Sequence, residues 1–210
     1  MSWIKRLLLV FSLFAMQSAL AEWGEGWDPI DPPVPTTAPA GKIEVLEFFW
    51  YGCPHCYHLE AELNAWVSKQ KDNIEFHQVP APLNPQWTDH SYFFYAAEVL
   101  GVLDKLHEPL FEAIHKEHRK IFDKQSLIDF AAAQGVDKKA FTEAWDSFSV
   151  YVKVQQARKL TKQFQLSGVP TVVINGKYKT SASLAGSSEK MFEIMDELIA
   201  EEAKSLPAKP

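Results

Sequence analysis

Only two cysteines occur in the 210 residues, and they stand together as Cys53-Pro54-His55-Cys56. Two thiols at this separation, at the start of a helix, can close a small disulfide ring. The first also meets the partial positive charge of the helix N-terminus. That field favours the thiolate, the form that attacks and leaves in disulfide exchange. A loop closed over two residues constrains an unfolded chain very little, so the pair reads as reactive rather than as a structural staple. Cys53 lies at the turn and is expected to be the solvent-exposed nucleophile. Cys56 lies one turn inward, on the side of Leu59 and Leu63, and is expected to be the buried resolving thiol. Pro54 suits the first helical turn, where its missing N–H has no partner in any case. His55 sits between the thiols and is expected to stabilise the Cys53 thiolate through its charge or its N–H.

The elements that position these residues follow from periodicity. Ile43 to Trp50 reads as a buried strand. Cys53 to about Lys71 reads as a helix with Leu59, Leu63, Trp66 and Val67 on one side, and Ile74 to Val79 as a second strand ended by prolines. From about Asn84 the pattern changes to successive helices: Tyr92 to Leu100, Leu103 to His118 with Pro109 at a boundary or kink, and Asp123 to Gln134. A helix capped by Asp137 carries Phe141, Trp145, Phe148 and Val152 on one face and runs on, with a break left open, towards Phe164. Strand character returns at Pro170 to Ile174, and Asn175-Gly176 signals a type I′ hairpin into Tyr178. Ser187 or Ser188 caps a last helix bearing Met191, Ile194, Met195, Leu198 and Ile199. The order is β-α-β, a helical block, then β-β-α, an α/β domain split by a helical insertion.

Composition narrows the function classes. At 47% hydrophobic and 13% aromatic, the chain has ample material for a core. Lys5 and Arg6, then an apolar run of roughly ten residues and Ala19-Leu20-Ala21, read as a cleaved signal peptide over 1–21. Its loss leaves 19 basic against 27 acidic residues, a net charge of −8, which argues against nucleic-acid binding. Residues 22–41, rich in proline and threonine, read as an extended lead-in. Export implies an oxidising compartment. A structural zinc site would want two more soft ligands than this pair offers, so no metal is expected. His115 and His118 have i, i+3 spacing but read as a solvated helix face. His58, His77, His90 and His107 have no partner that the sequence names. Trp50, Tyr51 and Gly52 read as apolar substrate surface, with core packing equally open for Trp50.

Phe48-Phe49-Trp50-Tyr51-Gly52-Cys53-Pro54-His55-Cys56 resembles the active-site segment of the thioredoxin-like superfamily. With Leu46-Glu47 before it and Gly168-Val169-Pro170-Thr171 later, the chain is similar to the DsbA family of periplasmic thiol:disulfide oxidases over about 40 to 205. The resemblance implies a thioredoxin-like α/β fold with an inserted all-helical domain. The expected boundaries are 42–83 and 150–205 for the thioredoxin-like part and 84–149 for the insertion. It implies a redox-active Cys53–Cys56 disulfide with no cofactor, and a cis Pro170 facing it. With no N–H at Pro170, the Val169 backbone is left free to pair with substrate. It implies that Glu47 is a proton-transfer group for the buried cysteine. A basic partner for Glu47 is expected on the neighbouring strand, yet Glu75-Phe76-His77-Gln78-Val79 has no lysine. The resemblance further implies a periplasmic monomer that oxidises reduced exported proteins and is reoxidised by a DsbB-type membrane partner. Rival readings are a reductase or isomerase of the same fold, a metal-binding module and a chaperone-like protein.

Overall fold

A strand with apolar residues on both of its faces needs cover on both. Ile43–Phe49 has it, with all seven residues buried. The structure, a computed structural model, describes residues 26–70 and 72–206, so the signal segment expected over 1–21 lies outside the described residues. In chain order the elements are β1 (Trp27–Pro29), β2 (Ile43–Phe49), α1 (Pro54–Gln70), β3 (Ile74–Pro80), α2 (Pro85–Val99), α3 (Leu103–His115), α4 (Lys124–Ala133), α5 (Lys138–Trp145), α6 (Phe148–Gln163), β4 (Thr171–Ile174), β5 (Tyr178–Thr180), α7 (Ala182–Ala185) and α8 (Ser188–Ala203).

The sheet order is β1-β5-β4-β2-β3. β2 lies between β3, parallel to it, and β4, antiparallel to it. Strand alternation sends Ile43 and Val45 to one face, where Leu59, Leu63 and Trp66 of α1 and Met191, Ile194 and Met195 of α8 cover them. Leu46 and Phe48 point to the other face, and the Phe48 ring meets that of Phe164 edge-on at 5.6 Å. Each such buried side chain contributes about 1.5–3 kcal/mol. The helical block has its own core around Phe93, Phe111, Phe130 and Phe141, and that core is continuous with Phe49, Tyr51, Cys53 and Cys56. The thiols therefore sit where the sheet meets the helices. This is the thioredoxin-like α/β fold with a helical insertion that the resemblance implied.

Most expected elements form, and the differences have local causes. The second helix begins at Pro85 rather than near Tyr92, because Asn84 accepts from Trp87 N–H and Pro85 takes the first turn. Pro109 lies inside α3 without ending it. The break left open in the helix capped by Asp137 occurs: that helix stops at Trp145, and Ser147 caps a new one by accepting from Val150 N–H. That break resets the phase. Val150, Val154, Ala157 and Thr161 become the buried face of α6, while Phe148, expected inside, is 79% exposed and Val152 is exposed as well. The lead-in is not wholly irregular, since Trp27–Pro29 pairs antiparallel with β5. Three residues are too few to show a period, so the strand is made by its pairing partner. Asn175 and Gly176 both have positive φ, as a type I′ turn requires. A Cβ on Gly176 would overlap the Val34 carbonyl oxygen.

Candidate active site

Cys53 ends the turn after β2 and immediately precedes α1. Its N–H donates to the Trp50 carbonyl at 2.9 Å, and its carbonyl accepts from Tyr57 N–H at 3.1 Å, so the residue is held at the helix mouth. Gly52 is required here because a Cβ would run into the Trp50 indole. That indole stacks on Trp87, with centroids 4.4 Å apart, so it packs against the helical block. Both thiols are free. Cys56 is fully buried, as expected, but Cys53 is only 7% exposed and thus far less open than its position at a turn suggested. The Val169 backbone covers it: the Cys53 thiol lies 3.5 Å from the Val169 carbonyl oxygen. The Val169–Pro170 bond is cis. Beside this contact a cleft of about 480 Å³ is lined by His55, Leu59, Gly168, Val169, Pro170 and Ser181, among others.

The two sulfurs differ in charge preference. Cys56 N–H donates to Cys53 Sγ at 3.4 Å, much as a helix N-terminus caps an anion. A hydrogen bond from the Cys56 thiol is the largest influence on Cys53. Burial opposes it, and the backbone N–H groups of Cys56 and His55 and the His55 charge add to it. The net effect lowers the Cys53 thiol to about 6. For Cys56, burial comes first, then donation to Cys53 and the charge of its neighbours, and its thiol is pushed far above the ordinary range. At neutral pH the arrangement holds one thiolate and one thiol. The reduced pair can attack another disulfide through Cys53, and once oxidised it can be attacked at Cys53 with Cys56 as the leaving sulfur.

Beneath the thiols lies a polar cluster in an otherwise apolar layer. Glu47 is fully buried, at a central strand rather than at a solvated edge. No cation faces it across the sheet. Its register partner is Gln78, whose amide donates to Glu47 Oε2 at 2.9 Å and lies 3.3 Å from both oxygens of Glu60. Loss of solvent, then the Glu60 charge, push the Glu47 carboxyl up to about 8, and the Gln78 bond only partly offsets this. Glu60, on α1, is buried too. Burial alone would raise it, but bonds from His107, Asn64 and Gln78 outweigh that and hold it below the usual carboxylate range. His107 of α3 lies 3.2 Å from Glu60 Oε1 through Nε2 and 2.7 Å from the Tyr51 hydroxyl through Nδ1.

The structure thus brings Cys53, Pro54, His55, Cys56, Glu47, Val169 and Pro170 together, and adds Glu60, Gln78, Tyr51 and His107. Helical spacing carried a signal for Glu60, which follows Cys56 by four residues and so shares its buried side. His107 had none, since 47 residues separate it from Glu60. His115 is not part of a solvated face. Its Nε2–H donates to the Tyr51 carbonyl at 2.8 Å, and its ring stacks on Tyr57. Buried His90 pairs through Nε2 with the Ile121 carbonyl at 2.8 Å. Among the described residues no group of three His, Cys, Asp or Glu side chains is placed to hold a metal ion.

The DSBA-like thioredoxin domain family matches residues 44–194. The Burkholderia cepacia protein named thiol:disulfide interchange protein DsbA is 46% identical over 176 residues, which cover 84% of this chain and 83% of that one. Its namesake from Pseudomonas syringae pv. tomato is 39% identical over 208 residues, covering 98% and 97%. The crystal structure of Pseudomonas aeruginosa DsbA superposes with a TM-score of 0.81 at 40% identity, covering 87% of this chain and 94% of that one. Proteus mirabilis DsbA, solved with the non-covalently bound peptide PWATCDS, superposes with a TM-score of 0.67 at 25% identity, covering 84% and 97%.

Proposed function

The chain belongs to the DsbA-like thioredoxin-domain family and is a thiol:disulfide oxidoreductase, and from that premise we propose that Cys53 and Cys56 are its redox pair and that it oxidises reduced proteins after their export. The single observation that carries this reading is the asymmetric setting of the thiols: Cys53 Sγ accepts from Cys56 N–H at 3.4 Å at the mouth of α1, while Cys56 is fully buried. Cys53 is lowered to about 6 and Cys56 is raised, one helical turn apart. In the oxidised protein a substrate thiolate attacks Cys53 Sγ, the Cys53–Cys56 bond breaks, and its electron pair leaves on Cys56. A second substrate thiolate then attacks the substrate sulfur of the mixed disulfide and releases Cys53 as a thiolate. The substrate loses two electrons and the protein gains them. A thiol one pH unit below ambient stabilises the reduced protein by about 1.4 kcal/mol, near 30 mV for this two-electron couple, and so makes the disulfide more oxidising.

The same reading assigns the other roles. His55 and the N-terminal amides of α1 hold the Cys53 thiolate, and Pro54 starts the helix without wasting a donor. Val169 presents its backbone to an extended substrate, Pro170 keeps that approach free of a competing N–H, and Glu47 exchanges a proton with Cys56. The bound peptide of the Proteus relative makes a peptide ligand a reasonable occupant of the cleft beside Val169. The protein works as a periplasmic monomer, with a cleaved leader over 1–21, and a DsbB-type membrane partner returns it to the disulfide form. Residues 42–83 and 150–205 make the redox half and 84–149 the insertion, a division whose second boundary falls just inside α6. Among the described residues no helix is long and apolar enough to cross a membrane.

Equilibration with graded glutathione buffers, followed by trapping of free Cys53, tests the direction of electron flow. The oxidase reading expects the pair to stay reduced where a thioredoxin-like reductase is already oxidised. A pair that oxidises with the reductase reverses the assignment.

A further inference from the structure

Glu47 and Glu60 present a physical problem. Two buried carboxyls share the amide of Gln78, and the strand beside Glu47 supplies no cation. Two such groups cannot both ionise cheaply, so one must keep a proton. The structure decides which by giving Glu60 two donors that Glu47 lacks, Asn64 Nδ2 at 3.0 Å, one turn along α1, and His107 Nε2, from another part of the molecule. His107 of α3 is buried in a box of rings, with Phe49, Tyr51, Phe94 and Phe111 all between 5.2 and 5.9 Å from its centroid. The buried Tyr51 hydroxyl lies against Nδ1 and Glu60 against Nε2. A neutral imidazole satisfies both contacts in one tautomer. Tyr51 O–H donates to Nδ1, and Nε2–H donates to the carboxylate. Glu47 Oε1, in contrast, is buried with no hydrogen-bond partner.

We propose that His107 is a positioning residue for the redox pair: by donating Nε2–H to Glu60 it fixes Glu60 as the ionised member of the carboxyl pair and leaves the proton on Glu47, next to Cys56. Tyr51, two residues before Cys53, orients the imidazole and so ties the active-site turn to the choice. The remaining titratable neighbours do not compete for it. The thiols lie on the Glu47 side, while Tyr57, His58, Asp104, Glu108, Glu112 and Lys116 share with Glu60, Gln78 and His107 the lining of a cleft of about 620 Å³, and Glu112 is paired with Lys116. That cleft gives the carboxyl pair a route to solvent protons. The consequence for catalysis rests on the oxidase reading above. When the Cys53–Cys56 bond breaks and its electron pair goes to Cys56 Sγ, the Glu47 carboxyl supplies the proton and is later reprotonated from solvent.

The test is a carboxyl titration of the reduced protein, followed by NMR of side-chain 13C-labelled glutamate, with signals assigned from Glu47→Gln and Glu60→Gln. Two variants separate the two ring nitrogens. His107→Asn keeps a polar group at the Nδ1 position for Tyr51 but falls short of Glu60. His107→Gln reaches the Nε2 position with an N–H. The Glu60 midpoint should rise by about 1–2 pH units in His107→Asn, the equivalent of one charge-assisted hydrogen bond, and return to within about half a unit of the native protein in His107→Gln. An unchanged midpoint in His107→Asn, or an equal rise in both variants, overturns the proposal. Oxidation of a dithiol peptide by the native protein is measured alongside. Its absence would reject the oxidase reading, while the carboxyl midpoints would still decide the role of His107.

Discussion

Above and below the buried Cys56, the molecule treats acidic groups in opposite ways. Cys53 is surrounded by donors, namely the Cys56 thiol and the first backbone N–H groups of α1, and its acidity is increased to about 6. Glu47 lies in the same small volume with a single amide donor and another carboxyl for company, and its acidity is reduced until its midpoint lies at about 8. A thiol becomes a better anion than in water, and a carboxylic acid becomes a worse one. Burial works against both anions, and for Glu47 it is the largest influence, with the Glu60 charge next. At Cys53 the donors outweigh it, and at Glu47 the one amide does not. Charge in this site is therefore set by how far donor supply offsets burial, and α1 supplies Cys53 from its N-terminus and Glu60 from Asn64 but sends nothing to Glu47.

The largest effect belongs to the sulfurs themselves. Cys53→Ser removes the atom that substrates attack, and oxidation of a dithiol peptide should fall by at least about 10³-fold, to the uncatalysed level. Cys56→Ser keeps the accessible sulfur and loses its internal partner, so a mixed disulfide with substrate should accumulate on a non-reducing gel. If the two variants behave alike, the contrast between the thiols is lost. The next effect is on stability. Glu47 binds its proton more tightly in the folded state, at about 8, than at its ordinary 4.5. It therefore destabilises the fold increasingly as pH climbs from about 4.5 to about 8, and not below that window. Glu47→Gln in the reduced protein should be more stable by roughly 3 kcal/mol at pH 7, from about 2.5 pH units at about 1.4 kcal/mol each, and nearly neutral at pH 4. Urea denaturation at both values checks this, and an equal gain at the two would show that the carboxyl is not held protonated.

The upper half of the site was legible in the chain because its parts are local. Cys53, Pro54, His55 and Cys56 are adjacent, and the apolar run of β2 followed by an amphipathic helix is enough to place them at a strand-to-helix turn. The second segment, Val169-Pro170, was reached through resemblance, since 116 residues separate Val169 from the thiol it covers. The lower half was largely illegible. Glu47 stood out as an acid in an apolar strand, but the partner expected on the neighbouring strand was a cation, and the register supplies Gln78. The basic group comes instead from α3 through Glu60. No periodicity announces that contact, because it depends on how the helical block docks on α1. The exposure of Cys53 was misjudged for the same reason, since a distant loop covers it.

The smallest of these effects falls on His55, and it decides how much of the donor supply is side chain and how much is backbone. The His55 side chain is exposed, so its charge acts on Cys53 through solvent and is screened by salt. Its backbone N–H survives substitution by alanine, and so does that of Cys56. His55→Ala should therefore raise the Cys53 midpoint by only about half a unit to one unit, read from thiolate absorbance at 240 nm against pH. The disulfide should become less oxidising at pH 7 by at most about 30 mV. Raising the ionic strength of the native protein should reproduce part of the same shift. Should the alanine variant instead carry Cys53 all the way to the ordinary thiol range, the imidazole and not the helix N-terminus would be the main support of the thiolate. The contrast between the two halves of the site would then rest on one side chain.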